Sequence, residues 1–261
     1  MIDWAATPNN ASELSKNPDA IQINVESQTA LLEQVSECLR VGRGFTVATV
    51  NLDHIVKMYQ SDQFYQAYKH QTYVVADGNP IVWLSRLAGR KIELAPGSEL
   101  ILPLISLATN MEVPVALLGA TQETLNETAV QLKKAYPKLN IVACIAPAFG
   151  FDPEGAEAQE CVNELSQSGA KMCLLALGAP KQEIFAVYAA RYLPHCGFIS
   201  IGAGLDFIAG SQTRAPLIVR KLAMEWLWRM LSNPRRLVYR YGACIAVLPK
   251  LVMQAIRARK L

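Results

Sequence analysis

Phe45-Thr46-Val47-Ala48-Thr49-Val50-Asn51 and, one helical segment later, Thr72-Tyr73-Val74-Val75-Ala76-Asp77-Gly78 decide how the rest of the chain is read. Both runs are β-branched and apolar, and both stop abruptly at small or polar residues. Strands of a parallel sheet buried on both faces look like this when their carboxyl ends open onto a crevice. Ligands of open α/β sheets bind outside those ends. The reading therefore brings Thr49, Asn51 and Asp77 to one pocket: a hydroxyl, an amide and a carboxylate. Gly78 lets the backbone turn sharply after the acid. Helix N-capping is the competing explanation for Asn51 and Asp77, since both residue types are favoured there.

The same alternation continues along the chain. Helical spacing covers Ser27 to Val41, and Leu52 to His70 reads as one helix with Ile55, Val56, Tyr59, Phe64 and Tyr68 on its apolar face. A helix from Pro80 to Leu87 and another from Ser98 to Asn110 follow the second strand. Strands are expected at Val113 to Leu118, Leu139 to Ile145, Met172 to Leu177 and Phe198 to Ile201. Helices over Thr121 to Tyr136 and Pro153 to Ser168 separate them. Six strands alternating with helices through short loops predict a Rossmann-like parallel sheet with helices on both faces. Residues 1–40 read as a mobile arm plus one helix, 41–213 as the sheet domain and 214–261 as a helical appendage.

Three later strand ends carry chemistry. Leu118-Gly119-Ala120-Thr121 is a strand, a glycine and a helix start, the generic way to admit phosphate to helix N–H groups, although Gly119 also suits a plain tight turn. Gly178-Ala179-Pro180 is followed at once by Lys181, Gln182 and Glu183. There Lys181 and the free N–H groups suit phosphate and Gln182 a sugar or base, against the alternative of a solvated first turn. Gly202-Ala203-Gly204 lacks the third glycine of the dinucleotide fingerprint and reads as a close-approach turn. Asp206 just beyond it suits a ribose or base, with helix capping as the alternative.

Composition sets the outer limits. The 261 residues are 51% hydrophobic and 18% charged, yet no uninterrupted apolar run reaches the roughly 18 residues of a membrane span. No signal peptide is visible in the polar start. Six cysteines are scattered without C-x-x-C spacing, which suits buried thiols in a cytoplasmic protein. The net charge of +3 conceals a split. From Arg214 to Leu261 there are 11 Lys or Arg and one acid, Glu225, whereas residues 1–213 are net negative. Such a tail points to an anionic partner: nucleic acid, a membrane surface or a phosphorylated ligand. Its helices carry Trp226, Trp228, Tyr239 and Tyr241, side chains favoured at membrane interfaces, and Pro249 is expected to kink the second of them. His54, His70 and His195 have no metal-ligand spacing, so no metal site is predicted. No Gly-x-Ser-x-Gly nucleophile elbow, phosphate loop or D-x-D pair occurs.

Taken together, Thr49-x-Asn51-x-Asp53-His54, Ala76-Asp77-Gly78-x-Pro80, Leu117-Leu118-Gly119, Gly178-x-Pro180-Lys181-Gln182-Glu183, Gly202-x-Gly204-x-Asp206 and Arg214-Ala215-Pro216…Glu225-Trp226-x-x-Arg229…Pro234-x-Arg236 resemble the WecB/TagA/CpsF glycosyltransferases, family twenty-six of the sugar-nucleotide transferases. The resemblance runs from about Val41 to Arg240. It implies an inverting, metal-independent hexosyltransferase with no cofactor. The donor would be a UDP-sugar and the acceptor a polyprenyl-diphosphate-linked saccharide at the cytoplasmic membrane face, in cell-surface or exopolysaccharide synthesis. Asp77 would be the general base and Thr49, Asn51 and Gly78 sugar-pocket residues. Gly119, Gly178, Pro180, Lys181, Gln182, Glu183, Gly202 and Asp206 would lie around the nucleotide. Arg229, Arg236 and Arg240 would reach the diphosphates. The partners implied are the two substrates and an anionic membrane surface, without nucleic acid; assembly into a homo-oligomer stays open. Leu94 stands where many relatives have arginine, and Leu205 replaces an aromatic or polar residue. The donor sugar is therefore left open between a hexose such as glucose and N-acetylmannosamine or its uronic acid. A Rossmann-type oxidoreductase and a non-catalytic lipid- or nucleic-acid-binding protein remain the alternatives.

Overall fold

Phe45–Val50 (β3) is buried at every one of its six positions, as a strand must be when both faces are covered and both edges paired. Phe45 and Val47 face one hydrophobic cluster, while Ala48 and Val50 face another. In the computed structural model, which describes residues 2–4, 20–212, 216, 228 and 234–259 (234–236 as backbone alone), β3 pairs in parallel with Tyr73–Ala76 (β4) on one side and Gly197–Ser200 (β8) on the other. Val115–Gly119 (β5), Ile141–Ile145 (β6) and Met172–Ala176 (β7) complete a six-stranded sheet. Its order is β4-β3-β8-β7-β5-β6, and every pairing within it is parallel. This is the Rossmann-like α/β architecture expected from the alternation.

Helices cover both faces. Gln28–Arg40 (α1), Gly97–Asn110 (α5) and Gln122–Ala135 (α6) supply residues to the cluster over Val47, Leu117, Leu174 and Ile199. On the other face, Ala156–Ser168 (α7) and Lys181–Tyr192 (α8) pack over Leu118, Leu175 and Phe198. Beside them, Leu52–Gln60 (α2), Asp62–Lys69 (α3) and Asn79–Leu87 (α4) pack over Ala48, Val50 and Val74. The capping chemistry is local: Ser27, Asn51, Ser61 and Thr121 each accept a hydrogen bond from the backbone N–H three residues on. Such a bond satisfies one of the orphan donors of a helix start.

Two expectations change. The single helix over Leu52 to His70 is broken at Ser61, which ends α2 and caps α3. Residues 1–40 contain more than an arm and a helix. Ile2–Asp3 (β1) pairs in parallel with Ile21–Gln22 (β2), and Trp4, Ile21 and Ile23 join the core around α2 and α4. Asn24 then accepts a hydrogen bond from Val74 N–H (2.8 Å) and donates one to Thr72 O (2.8 Å), while Val25 N–H donates to Val74 O. This segment covers the outer edge of β4, a common way to protect an unpaired strand.

After β8, Gly204–Ile208 (α9) packs against α5 and α6. The final helix, Pro234–Arg259 (α10), contains Pro249 and lies on α2 and α4, burying Cys244, Leu251 and Ala255. Of the first part of the expected helical appendage, residues 217–233, only Trp228 is among those described. Among those described, no helix is long and apolar enough to cross a membrane.

Candidate active site

The carboxyl edge of the sheet is built around a contact between two strand ends. Asn51, at the end of β3, does two things at once. Its Oδ1 accepts the His54 N–H (3.0 Å), capping α2, and its Nδ2 donates to Asp77 Oδ2 at the end of β4 (3.2 Å). Capping and site formation are therefore compatible for Asn51. For Asp77 the N-cap position itself falls one residue later, on Gly78, with φ +108°. Asp77 N–H donates to Val50 O (2.8 Å), which locks the two strand ends together. A side chain at Gly78 would enter a backbone region that L-residues rarely adopt.

Beneath this pair lies a buried polar cluster. Tyr68 Oη donates to Thr49 O (2.8 Å), and His54 Nδ1 lies 2.8 Å from the same carbonyl and 2.7 Å from Tyr68 Oη. A proton on Nδ1, donated to the carbonyl, satisfies this arrangement. Burial pushes His54 down to about 4 and Tyr68 well above its ordinary range. Both are therefore neutral near pH 7, and together they hold the Thr49 peptide.

A cationic chain ties three elements to the same edge. Lys57 Nζ bridges Asp53 (2.9 Å) and the carbonyl of Ala179 (3.1 Å) in the turn after β7. Arg240 of α10 pairs with the same Asp53 carboxylate. Burial alone would raise Asp53, but Lys57 and Arg240 outweigh it and hold it below the ordinary carboxylate range. Arg240, expected at the diphosphates, thus pairs with a carboxylate two residues after Asn51 in the chain. Arg229 lies outside the described residues, and the side chain of Arg236 is not described.

The turns after β7 and β8 are joined by Gln182. The Ala179–Pro180 bond is cis, and α8 starts directly after it at Lys181, which is half-buried. Gln182 is only 2% exposed. Its Oε1 accepts the Gly202 N–H (3.1 Å), and its Nε2 donates to Glu183 Oε1 (2.8 Å). Glu183, expected among the nucleotide contacts, is fully enclosed, and burial raises its carboxyl to about 7. The alternative of a solvated first turn therefore does not hold for Gln182 and Glu183, which are buried, while Lys181 is half-buried. Gly178 and Gly202 hold positive φ angles of 72° and 58° at these two turns. Asp206 accepts hydrogen bonds from Ser211 (3.3 Å) and Gln212 (3.2 Å) beyond α9.

Gly119 lies further along the edge. A Cβ there would come within 2.6 Å of the Ala176 backbone, so this glycine is required by the β5–β7 approach as well as by its φ of +101°. By the spacing of neighbouring strands, Asp77 and the turn after β7 are about 14 Å apart, three strand intervals. A ligand touching both must lie across the strand ends.

Sequence reasoning missed one part of this edge. Ala95 N–H donates to Ala76 O at the end of β4, and two residues later Gly97 packs on Ser200 and Ile201 at the end of β8. A Cβ on Gly97 would stand 3.1 Å from Ile201 Cα. Residues 95–97 therefore pass over the end of β3 and bring the N-terminus of α5 to the crevice. Nothing local in Ala95-Pro96-Gly97 names β8 as its neighbour. Lys57 was also missed, although its spacing of four residues from Asp53 is the signal of a helical ion pair.

At one edge, then, stand a carboxylate positioned by an amide, the N-termini of α2, α4, α5 and α8, and two cations fixed on a second carboxylate, Asp53. Helix N-termini and fixed cations attract phosphate oxygens, and a carboxylate beside them can take a proton. The sequence matches the model of the Glycosyl transferase WecG/TagA/CpsF family over residues 19–261. The chain belongs to that glycosyltransferase family, and its substrates are accordingly a nucleotide-sugar donor and a sugar acceptor.

Proposed function

We propose that the protein transfers a sugar from a UDP-sugar to a polyprenyl-diphosphate-linked saccharide, with inversion and without a bound metal or other cofactor. The observation that carries the reading is the Asp77 carboxylate at the end of β4, held by Asn51 from the end of β3. As general base, Asp77 takes the proton of the acceptor hydroxyl while that oxygen attacks the anomeric carbon from the face opposite the leaving group. The bond to the UDP oxygen breaks, and the diphosphate leaves with the electron pair. Its growing negative charge is met by Lys181, by the N–H groups opening α8 and by arginines of the appendage, Arg229, Arg236 and Arg240. Preorganised donors of this kind act where charge develops, and guanidinium groups bind phosphate oxygens as a planar fork. Thr49, Asn51 and Gly78 would line the sugar pocket, and Gly119, Gly178, Pro180, Gly202 and Asp206 would frame the nucleotide. The sugar itself is left between a hexose and N-acetylmannosamine or its uronic acid.

Work at the inner membrane surface follows from the acceptor and is supported by α10. Val238, Tyr239, Ile245, Val252, Met253 and Ile256 are exposed along it, beside and beyond its buried face. Lys250, Arg257 and Arg259 belong to the same helix. An apolar stripe with basic neighbours suits a helix lying in the headgroup region, with about 1 kcal/mol per basic residue near an anionic surface.

Asp77→Asn tests the central assignment. The variant should keep its fold and its affinity for the UDP-sugar, while turnover falls by about 10²–10⁴-fold. Turnover within a few-fold of the native enzyme would remove Asp77 from the role of base.

A further inference from the structure

Glu183 is an expensive residue to place where it stands. Its carboxyl is enclosed on the first turn of α8, where Oε1 accepts from Gln182 and Oε2 has no hydrogen-bond partner among the described residues. Burying a carboxyl with an unpaired oxygen is costly, and an apolar side chain of similar size avoids that cost. Two and three residues further along α8, Phe185 and Ala186 are buried apolar contacts over Phe198 and its neighbours. What the carboxyl does reach is the Gln182 carboxamide. An amide can turn end for end, and only one orientation presents Oε1 to the Gly202 N–H. Glu183 Oε1, an acceptor, selects that orientation by requiring the Nε2 end on its own side.

We propose that Glu183 is a positioning residue for the crevice. Acting through Gln182, it fixes the Gly202 amide and so sets the spacing between the turn after β7 and the turn after β8. Gly202 needs such a tether because its φ of +58° leaves it a conformationally free glycine. The neighbouring Gly204 packs so closely on α5 that a Cβ would meet Ile101 and approach Ser98. A shift of Gly202 would therefore be passed to α9 and to the α5 N-terminus, both at the edge of the crevice. The consequence for substrate rests on the proposed function, in which these two turns frame the nucleotide.

The test compares Glu183→Gln with Glu183→Met in the full chain. Gln keeps an oxygen that can accept from Gln182, whereas Met keeps the volume and removes the acceptor. Amide hydrogen exchange at Gly202 reads the tether without any substrate. It should quicken by about tenfold or more in Glu183→Met and stay near native in Glu183→Gln, with β7 and β8 protected in both. Free UDP titrated calorimetrically, and KM against kcat for the donor, read the consequence. Glu183→Met should weaken UDP and raise KM by about tenfold with kcat changed less than threefold, and Glu183→Gln should restore both. Gly202 exchange that is native in both variants overturns the proposal. So does a variant that fails to fold or loses protection across the whole sheet, because Glu183 would then be supporting the core and not the turn. Selective quickening at Gly202 with unchanged UDP affinity would uphold the tether and refute the placement of the nucleotide.

Discussion

Replacing Glu183 by glutamine should change how stability depends on pH, by an amount that follows from two buried groups. Burial raises the Glu183 carboxyl from 4.5 to about 7 and lowers the His54 imidazole from 6.5 to about 4. The titratable and charged groups facing them are Asp53 and Lys57 from α2, Tyr68 from α3 and Arg240 from α10. A raised acid contributes its stability fully below its unfolded value and loses it as pH rises through the folded one, here from 4.5 to about 7. A lowered base behaves oppositely: its contribution is present above 6.5 and is lost as pH falls toward about 4. Each slope is about 1.4 kcal/mol per pH unit, and between these limits the two nearly cancel. Glu183→Gln deletes one slope and leaves the other. The variant should therefore gain about 3 kcal/mol on the native protein between pH 4.5 and 7, and the difference should be constant at higher pH. Urea unfolding at half-unit pH steps measures this directly, because other titrating groups cancel in the difference. Stability curves that stay parallel from pH 4.5 to 7.5 would refute the account of a carboxyl held neutral by burial.

Other expectations follow from single features. Gly119→Ala should cost roughly 2–5 kcal/mol, combining left-handed strain with overpacking, against the Ala176 backbone; a denaturation midpoint unchanged from native would contradict the close β5–β7 approach. Transfer should proceed at its full rate in excess EDTA, and an activity lost to EDTA and restored by Mg²⁺ or Mn²⁺ would end the metal-independent mechanism. Ile245→Glu and Met253→Glu, both on exposed positions of α10, should leave folding intact but reduce flotation with anionic vesicles. Raised salt should release the native protein, and equal flotation of variant and native would count against α10 as the membrane face.

The strands were legible because burial on both faces writes itself as continuous β-branched runs. Phe45–Val50, Val115–Gly119 and Met172–Ala176 fall within a residue or two of their sequence limits. The break at Ser61 was present in the sequence as a serine before Asp62, but the apolar period of Phe64 and Tyr68 continued that of Ile55 and hid it. β1 and β2 are two residues each, and their pairing joins positions nineteen residues apart, so no local period reveals them. In the site, Asn51 and Asp77 could be read from where their strands stop. The burial of Gln182 and Glu183 could not, because a polar first turn looks the same whether it meets solvent or the next turn along. Nor could the Lys57 contact to Ala179 or the Arg240 contact to Asp53, both of which join segments more than a hundred residues apart.

The strand order has a consequence for how the crevice comes into being. β3, the first strand of the large sheet, is flanked by β8, the last, so residues 45–47 pair with 197–199. The pair β3–β4 can form as soon as it is synthesised, but one side of β3 stays unpaired until the chain has been made through Ser200. Closing so long a loop is slow relative to local pairing, and an open strand edge in that interval is prone to association with other chains. The half carrying Asn51 and Asp77 and the half carrying Gln182 and Gly202 are thus separate during synthesis. They meet only when the last strand inserts between β3 and β7, and under the proposed function that insertion is the step that assembles the crevice.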